Sequence, residues 1–270
     1  MTGGTTEALP PTVDVTLLAG ELLAAEAKRA PVTPLSTRYS GLDVATAYRV
    51  QAEVIRRRLR SGDRVCGHKI GLTSAAMQQL LGVDEPDYGV ILDSMCHPNG
   101  STVELAQLIA PKVEAEIAFV IERPLRGPGV GAAEVLAATR HVVPSLEIID
   151  SRVADWRITL VDTVADNASS ARVVVGDSPL APDALELGAV AVSLLRNGEQ
   201  VSAGTGAAVL GHPALAVAWL VNKLAEYGEG IGPGELVMPG AVSAPTAELR
   251  PGDEVSAVFA GMGTVSVRFR

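Results

Sequence analysis

Aromatic side chains are scarce in this sequence of 270 residues: Phe, Trp and Tyr together make up 3%, whereas hydrophobic residues as a whole make up 47%. The core must therefore be built mainly from Ala, Val, Leu and Ile, which suit packed strands and close contacts between helices. A chain of this length fits one large domain, or a core domain with a small helical appendage.

Basic side chains are also few. The 22 Lys and Arg residues are outnumbered by 31 Asp and Glu, which gives a net charge of −9. This balance argues against nucleic acid or an anionic membrane as a partner. The one basic cluster, Arg56, Arg57, Arg58 and Arg60, lies in a predicted helix and is interpreted as a solvated face.

Cysteine is rare, and long apolar runs are missing. The spacing of Cys66 and Cys96 predicts neither a disulfide framework nor a zinc site, and both are interpreted as small buried hydrophobic residues. No uninterrupted apolar run approaches the roughly 20 residues needed to cross a bilayer. Residues 1–11 lack the features of a secretory signal and are predicted to be a disordered tail. We therefore expect a cytoplasmic protein with no membrane partner.

The pattern of apolar residues divides the rest of the chain into two parts. Residues 12–63 are predicted to be an N-terminal helical region, with one helix over 13–28 and a second that starts after Asp43 and ends at Gly62. Residues 64–270 are predicted to be a β-rich catalytic domain. Its expected strands are 65–70, 88–92, 113–121, 145–150 and 171–175, and its expected helices are 74–81, 131–142 and 213–227.

Turn residues indicate that the sheet is mainly antiparallel. Asn197-Gly198 between two strand-like runs is a strong hairpin signal. Residues 254–259 and 264–269 alternate apolar and polar side chains around Gly261 and Gly263, which predicts a final hairpin. The fold class is therefore α+β, with a curved, mixed and mainly antiparallel β core, packed helices and an N-terminal helical layer.

Three acidic residues lie in apolar strand candidates. The period of two in a strand places Glu114 and Glu116 on one face, and Glu147 lies in the middle of a second apolar run. The first pair alone is better explained as solvent-facing or neutralised by Lys or Arg. Glu147 shifts the interpretation to a site for Mg²⁺ or Mn²⁺, with water and substrate as the remaining ligands. Zinc would favour His or Cys.

Other polar residues carry weaker signals. Lys69, flanked by glycines, fits either a surface lysine or a group that binds a carboxylate or exchanges a proton. Asp87 fits a turn former better than a general base, and the polar run 166–170 fits capping better than a pocket. No histidine is assigned a metal role.

Several separated motifs occur in one order and together carry a family resemblance. They are residues 67–74, 82–89, 113–119, 144–152, 162–170, 211–224 and 251–269. The sequence resembles the 2-keto-4-pentenoate hydratase and 4-oxalocrotonate decarboxylase family, within the fumarylacetoacetate hydrolase superfamily. The similarity extends from Val44 almost to the C-terminus.

The resemblance implies a site and an assembly. Glu114, Glu116 and Glu147 correspond to the metal ligands of that family. Lys69, Asp87, Leu72 and Ser169 match positions in its substrate pocket, the first two as catalytic groups and the last two as substrate-binding ones. The resemblance also implies a curved β core around the metal, a homo-oligomer, and possible association with a decarboxylase or aldolase of an aromatic or steroid breakdown pathway.

The implied activity is the hydration of 2-hydroxypenta-2,4-dienoate to 4-hydroxy-2-oxopentanoate. The carboxylate and adjacent oxygen of this acid can chelate a cation, which would stabilise enolate charge. Lys69 is expected to hold the carboxylate or assist proton transfer, and Asp87 to orient or deprotonate water.

Three alternatives stay open. A decarboxylase of 4-oxalocrotonate, a 2-oxo-hexenedioate, needs the same metal-stabilised enolate, and its diacid substrate would favour an extra cationic partner in the pocket. Residues 239–243 are where the pocket wall is expected to differ. An acylpyruvate-type C–C hydrolase ranks lower because no His–Glu pair stands out, and a non-catalytic scaffold ranks lower because it has no need for three acids in apolar strands.

Overall fold

The N-terminal helices begin where an aspartate precedes a run of apolar residues. In the computed structural model, which describes residues 13–270, α1 (Val15–Lys28) is capped by Asp14 and α3 (Val44–Arg60) by Asp43. Each carboxylate accepts hydrogen bonds from backbone N–H groups of the first turn, which would otherwise lack partners. The helices predicted at these positions are confirmed; the predicted tail, residues 1–11, lies outside the described residues.

The N-terminal helices share a core with the sheets. Helix α1 packs on α3, and α3 packs on α6 (Leu160–Ala165), while the short α2 (Leu35–Arg38) lies against α6. Buried Leu18 and Val50 belong to the same hydrophobic cluster as Phe119 of the sheet. The expected boundary between a helical region and a catalytic domain near residue 63 stays a prediction.

A seven-stranded sheet carries the five strand candidates between residues 65 and 175. Its order is β2-β1-β10-β5-β6-β7-β3, and all neighbours are antiparallel except the pairs β1–β10 and β3–β7. The strands are β1 (Val65–Gly71), β2 (Asp87–Leu92), β3 (Cys96–Pro98), β5 (Lys112–Ile121), β6 (Thr139–Ile149), β7 (Ser170–Val175) and β10 (Leu236–Met238).

A second sheet of five strands has the order β4-β12-β11-β8-β9. Residues Asn197 and Gly198 join β8 and β9, both with positive φ (53° and 82°), as a two-residue hairpin turn of the predicted kind requires. Strands β11 and β12 form the predicted final hairpin. The strands are β4 (Thr102–Val103), β8 (Ala191–Arg196), β9 (Glu199–Thr205), β11 (Glu254–Phe259) and β12 (Gly263–Phe269).

The two sheets pack face to face through β11 and β12 on β6, and α5 (Ala132–Ala138) packs against α7 (Pro213–Ala225). The remaining helix is α4 (Ala75–Leu81). The expected α+β fold with mainly antiparallel strands is confirmed, although the strands form two sheets.

One predicted helix was wrong in part, and one strand was missed. The helix expected over residues 131–142 ends at Ala138, and residues from Thr139 onward belong to β6. The β-branched residues Val142 and Val143 pair with β5, and this pairing outweighs their local pattern. Strand β10 was missed because three residues are too few for a periodic signal.

Helix α7 is the most apolar helix, and residues Gly206–Ala225 form one stretch that is long and apolar enough by composition to span a membrane. Half of that stretch is buried inside the fold. The helix proper starts at Pro213 and has 13 residues, fewer than the roughly 20 that a bilayer requires. Its buried face, which includes Val217, Leu220 and Val221, belongs to the main hydrophobic cluster.

The two cysteines, distant in sequence, are neighbours in space. Both thiols are free and half-buried, and the Sγ atoms of Cys66 and Cys96 are 3.2 Å apart. The interpretation as two isolated hydrophobic residues was therefore incomplete, since β1 and the first residue of β3 bring the two thiols into contact.

Candidate functional site

The three predicted metal ligands meet on one face of the seven-stranded sheet. Glu114 of β5 lies opposite Glu147 of β6, and Glu116 follows two residues along β5 on the same face. One carboxylate oxygen of each lies within 4.8 Å of those of the other two. The alternation of side chains along a strand predicted that Glu114 and Glu116 share a face, and the pairing of β5 with β6 places Glu147 beside them.

These carboxylates are held inside the protein with few partners. Glu116 and Glu147 are fully buried, and within residues 13–270 no hydrogen bond reaches Oε1 of Glu116 or either oxygen of Glu147. The backbone N–H of Gly240 donates to Oε2 of Glu116 at 2.7 Å. Glycine is required there: φ is +121°, and a Cβ would lie 2.1 Å from Oγ1 of Thr73.

Burial and mutual repulsion disfavour the charged forms of these acids. Burial raises the pKa of Glu114 to about 7, a shift that Lys69 opposes and Glu147 reinforces. The pKa of Glu116 is raised well above its usual value by burial and then by Glu147 and Glu114. Unpaired carboxylate oxygens at this depth are costly unless a cation compensates them.

Lys69 provides part of that compensation. It is buried, with its Nζ 3.3 Å from Oε2 of Glu147 and donating to the backbone oxygen of Ala168 at 3.0 Å. Burial by itself would lower the pKa of the Lys69 ammonium, but the nearby carboxylates, Glu147 first, raise it above its usual value. Lys69 is therefore a buried cation beside the acids, and the alternative of a surface lysine is wrong.

Asp87 faces the same space from β2. It pairs with Gly71 of β1, and a Cβ at Gly71 would lie 2.2 Å from Asp87 Oδ1 and 3.4 Å from Lys69 Nζ. Burial raises the pKa of the Asp87 carboxyl, against the effect of Lys69. Oδ2 accepts a long hydrogen bond from Thr163 at 3.4 Å, and Oδ1 has no hydrogen-bond partner within the described chain. Asp87 is thus a buried acid with a free oxygen, rather than a turn residue.

A turn with unusual backbone geometry completes this side of the site. Asn167, Ala168 and Ser169 all have positive φ (55°, 50° and 54°), a conformation that costs about 1–2 kcal/mol per residue for side chains other than glycine. The turn directs the carbonyl oxygen of Ala168 to Lys69 and leaves the Ser169 hydroxyl on the cavity wall without a protein partner among the described residues.

The turn is fixed from both ends. The Asn167 side chain accepts from N–H of Val90 at 2.8 Å and donates to its carbonyl at 2.9 Å, as a neighbouring strand would. Buried Arg152 binds the carboxylate and carbonyl of Asp166 and donates to the carbonyls of Asp150 and Ser170. The sequence interpretation of residues 166–170 as capping residues captured their hydrogen bonding but missed that they enclose the site.

A cavity of about 740 Å³ opens over these groups. Lys69, Asp87, Glu114, Leu72 and Ser169 all line it, so the structure brings the sequence-predicted residues together. Their chemical roles stay predictions. The expected wall segment also lines it, at Ala241, Val242 and Ser243, together with Ala244 and Pro245, and none of these side chains is charged.

Two cavity residues were not found from sequence. Lys112 starts β5 on the face that carries Glu114, and its Nζ lies 4.4 Å from the ring centroid of Trp156. The strand period that linked the glutamates would have identified Lys112 as well. Trp156 had no local signal, since it comes from the irregular segment between β6 and α6.

No histidine lines the cavity among the described residues. His68 is next to Lys69 on β1, so it points to the opposite face, where its Nδ1 lies 3.4 Å from Oε2 of Glu235. His212 caps α7 and lies 3.5 Å from Glu186. Two His–Glu contacts therefore exist, and both are outside the cavity.

Comparison with known proteins gives a consistent result. The family described as fumarylacetoacetate (FAA) hydrolase C-terminal matches residues 76–270. A 2-keto-4-pentenoate hydratase of Paraburkholderia xenovorans (strain LB400) is 46% identical over 239 residues, 88% of each chain. A 4-oxalocrotonate decarboxylase of Pseudomonas sp. (strain CF600) is 42% identical over 255 residues, 94% of this chain and 96% of that one.

A solved structure agrees over nearly the whole chain. The 4-oxalocrotonate decarboxylase from Pseudomonas putida G7, complexed with magnesium and adipate, superposes with a TM-score of 0.93 at 39% identity, covering 96% of this chain and 99% of that one. With the acidic cluster, the strand order and the sequence matches in agreement, this chain belongs to the fumarylacetoacetate hydrolase family.

Proposed function

We propose that this protein is a divalent-metal-dependent hydratase that adds water to 2-hydroxypenta-2,4-dienoate to give 4-hydroxy-2-oxopentanoate. The observation that carries the proposal is a cluster of three carboxylates, two of them buried, whose third member, Glu114, lines a large cavity together with Lys69 and Asp87. Relatives with 44–46% identity are named as hydratases of 2-keto-4-pentenoate, 2-hydroxyhexa-2,4-dienoate or 2-hydroxypent-2,4-dienoate, which supports this reaction type.

The residues of the cluster fit a hard divalent cation. One carboxylate oxygen each of Glu114, Glu116 and Glu147 lies within 4.8 Å of the other two, and three oxygens of Glu116 and Glu147 accept no hydrogen bond among the described residues. Such an all-oxygen set suits Mg²⁺ or Mn²⁺ better than zinc. When bound, the cation would supply Lewis-acid stabilisation of negative charge on the substrate oxygens. A related protein holds magnesium in its solved structure, which supports a divalent metal; manganese rests on ligand chemistry alone.

Lys69 and Asp87 are the groups that can act on the substrate directly. Lys69 provides a buried ammonium to bind the substrate carboxylate or the adjacent oxygen, and its bond to Ala168 holds it at the cavity wall. Asp87 has a free Oδ1, and burial raises its pKa, which makes it a candidate to take up and release a proton. Ser169 provides a free hydroxyl that can orient the substrate.

The reaction has two steps, and in each of them one proton leaves an oxygen and one proton is added to a carbon. The proton of the 2-hydroxyl group leaves and a proton reaches C5, which gives the conjugated 2-keto acid. Water then adds at C4, with Asp87 as the group that takes its proton, and a proton is delivered to C3. Asp87 and Lys69 both line the cavity. We therefore place both steps next to these two side chains.

A second candidate, a 4-oxalocrotonate decarboxylase, is favoured by one observation. Such a diacid substrate needs an additional cationic partner, and Lys112 lines the cavity apart from Lys69. The relatives named as decarboxylases are also similar, at 41–42% identity. An acylpyruvate-type hydrolase is disfavoured, since the two His–Glu contacts described above lie outside the cavity, and a scaffold role is disfavoured because the cluster and cavity are both intact.

One experiment separates these reactions. Metal-free protein and protein loaded with Mg²⁺ or Mn²⁺ are incubated with 2-hydroxypenta-2,4-dienoate and with 2-oxo-hexenedioate, while absorbance loss and CO₂ release are followed. We expect metal-dependent consumption of the monoacid without CO₂. Release of CO₂ from the diacid, with no hydration of the monoacid, would establish the decarboxylase instead, and inactivity on both would refute the proposal.

The cellular setting is proposed on the same basis. We infer a homo-oligomer in the cytoplasm that acts in aromatic or steroid catabolism, followed by an aldolase that takes the hydrated product and possible contact with a pathway decarboxylase. The naming of the relatives supports the chemistry of this setting. Size-exclusion chromatography with light scattering tests the oligomer.

A further inference from the structure

Two cationic side chains line the cavity, and their surroundings differ. Lys69 is already bound to Glu147 and to the carbonyl of Ala168. Lys112 has no ion pair within 4.0 Å and no hydrogen bond in the part of the chain that the structure describes, and its contact is with the ring of Trp156 at 4.4 Å. All three N–H donors of Lys112 are therefore available to a ligand in the cavity.

The position of Trp156 is built into the fold. Its Nε1 donates to the carbonyl of Ala110 at 2.9 Å, which ties the ring to the segment that leads into β5. Asp155 and Trp156 both have positive φ (59° and 54°), a backbone cost that the surrounding structure has to offset. An indole face attracts an ammonium group, so Trp156 orients Lys112.

The start of β5 is fixed in the same way. The buried carboxylate of Asp150 accepts hydrogen bonds from the N–H groups of Ile109 and Ala110 at 2.8 and 2.7 Å. Lys112 then pairs with Ile149 of β6, which also lines the cavity. The backbone that carries Lys112 is thus held on both sides.

A simpler role for Lys112 would be to neutralise Glu114. The two share a strand face, with Cα atoms roughly 6.5–7 Å apart. Burial raises the pKa of Glu114 and the charge of Lys112 lowers it, but no ion pair forms between them within 4.0 Å, and the Lys112 ammonium lies over the indole ring. This geometry favours a ligand in the cavity as the partner of Lys112.

The size of the cavity leaves room for such a ligand. A volume of about 740 Å³ lies in the range of pockets that hold drug-sized molecules, so a five-carbon acid fills only part of it. The space beyond the carboxylates is lined by apolar side chains, among them Ile149, Ile158 and Val242. If one end of a substrate binds at Glu114 and its carbon chain extends along these apolar residues, its other end reaches Lys112, a cation without an ion pair among the described residues.

We propose that Lys112, oriented by Trp156, binds a second carboxylate at the tail of the substrate, so that the cavity accepts 2-hydroxy-dienedioic acids in addition to the five-carbon monoacid. This proposal rests on the proposed function, which places the carboxylate and the adjacent oxygen of the substrate at the glutamate cluster and Lys69. Lys112 is then the residue that determines tail specificity, whereas the glutamates and Lys69 bind the end common to all substrates.

The test compares kcat/KM for 2-hydroxyhexa-2,4-dienedioate and for 2-hydroxypenta-2,4-dienoate in magnesium-loaded wild type, Lys112→Met and Lys112→Arg. A charge-assisted hydrogen bond corresponds to about a ten- to hundredfold change. We expect the diacid-to-monoacid ratio to fall by about that factor in Lys112→Met, mainly through KM, and to be largely retained in Lys112→Arg. An unchanged ratio in Lys112→Met would overturn the proposal.

Lys28→Met is the matched control, since Lys28 is an exposed lysine at the end of α1 and should leave the ratio unaltered. A binding measurement separates this proposal from the proposed function. Calorimetry on magnesium-loaded protein should give tighter binding of adipate than of hexanoate, with the difference lost in Lys112→Met. Equal binding of both acids by wild type would overturn the role of Lys112, whereas inactivity on both dienoates with preserved adipate preference would overturn only the reaction.

Discussion

Glu114 and Glu147 lie opposite each other on regular antiparallel strands, whereas the turn Asn167–Ser169, across the cavity, has positive φ at three consecutive residues. The acids are held by strand register and have a low-cost backbone but costly side-chain charges. The turn has a costly backbone, but the Asn167 side chain and the Ala168 carbonyl are hydrogen-bonded, and the Ser169 hydroxyl is left free toward the cavity. The site therefore contains two kinds of unfavourable free energy. A bound cation can offset the cost of the carboxylate charges, and the hydrogen bonds of Asn167 and Arg152 offset the cost of the backbone conformation in the turn.

The largest effect is expected at the acids. Glu116→Gln should lower metal-dependent turnover by more than about a hundredfold, since even the loss of groups that only support a metal ligand costs 10- to 100-fold. The metal-free variant should be at least as thermally stable as metal-free wild type, because the neutral amide cannot take the charged form that burial and the neighbouring glutamates disfavour at this position. Steady-state kinetics, metal calorimetry and melting curves measure these quantities.

Glu122→Gln is the control for that variant, since Glu122 follows β5 directly and its side chain is 56% exposed. It should retain wild-type turnover. Full activity of Glu116→Gln would refute the assignment of the metal site.

A smaller effect is expected where the two regions meet. Gly71→Ala places a methyl group 2.2 Å from Asp87 Oδ1 and must displace that carboxylate. We expect kcat to fall by about a hundredfold, in line with the contribution of a general base, while magnesium affinity changes little. Gly41→Ala, where no atom lies within 4 Å of the added Cβ, is the control. A loss of magnesium binding in Gly71→Ala, with kcat per metal-loaded site unchanged, would argue against the role of Asp87.

The turn can be loosened without touching the acids. Asn167→Ala removes both hydrogen bonds to Val90, and we expect about a tenfold loss in kcat/KM together with a destabilisation of about 1–3 kcal/mol. Asn222 lies on α7, away from the cavity, and makes a matching pair of hydrogen bonds to the backbone of Val130, which Asn222→Ala removes. This variant should show a similar denaturation shift without the kinetic loss; equal kinetic losses would indicate a general stability effect.

The smallest effect concerns pH. The pKa of Glu114 is raised to about 7 in the folded, metal-free protein, whereas its usual value is 4.5. Between these two pH values the folded protein keeps the Glu114 proton and the unfolded protein has lost it. The stability of the metal-free protein should therefore fall as pH rises from about 4.5 to 7. Magnesium should reverse this trend, since binding requires the deprotonated acids.

Melting temperatures between pH 4.5 and 8, with and without magnesium, measure this effect. Glu114→Gln is the variant in which the decline without magnesium should be smaller. A metal-free wild type that gains stability over the same interval would contradict the assigned direction.

The parts of the fold that were predicted correctly are those with local signals. Asp14 and Asp43 cap their helices, and Asn197-Gly198 forms its turn, because each depends on a few adjacent residues. The helix predicted through residue 142 failed because pairing with β5 governs residues from Thr139 onward. Strand β10 was missed because its three residues are too few for a periodic signal and its partners, β1 and β5, are remote in sequence.

The candidate site divides in the same way. Because side chains alternate along a strand, the sequence was enough to predict that Glu114 and Glu116 share a face, and the motif resemblance added the expected roles of Glu147, Lys69 and Asp87. Three features could be seen only in the packed molecule: Glu147 lies opposite Glu114, three non-glycine residues adopt positive φ beside Lys69, and Lys112 contacts Trp156. The alternation of side chains is a property of the local backbone, whereas strand register, a strained turn and a contact between distant residues exist only when the whole core is packed.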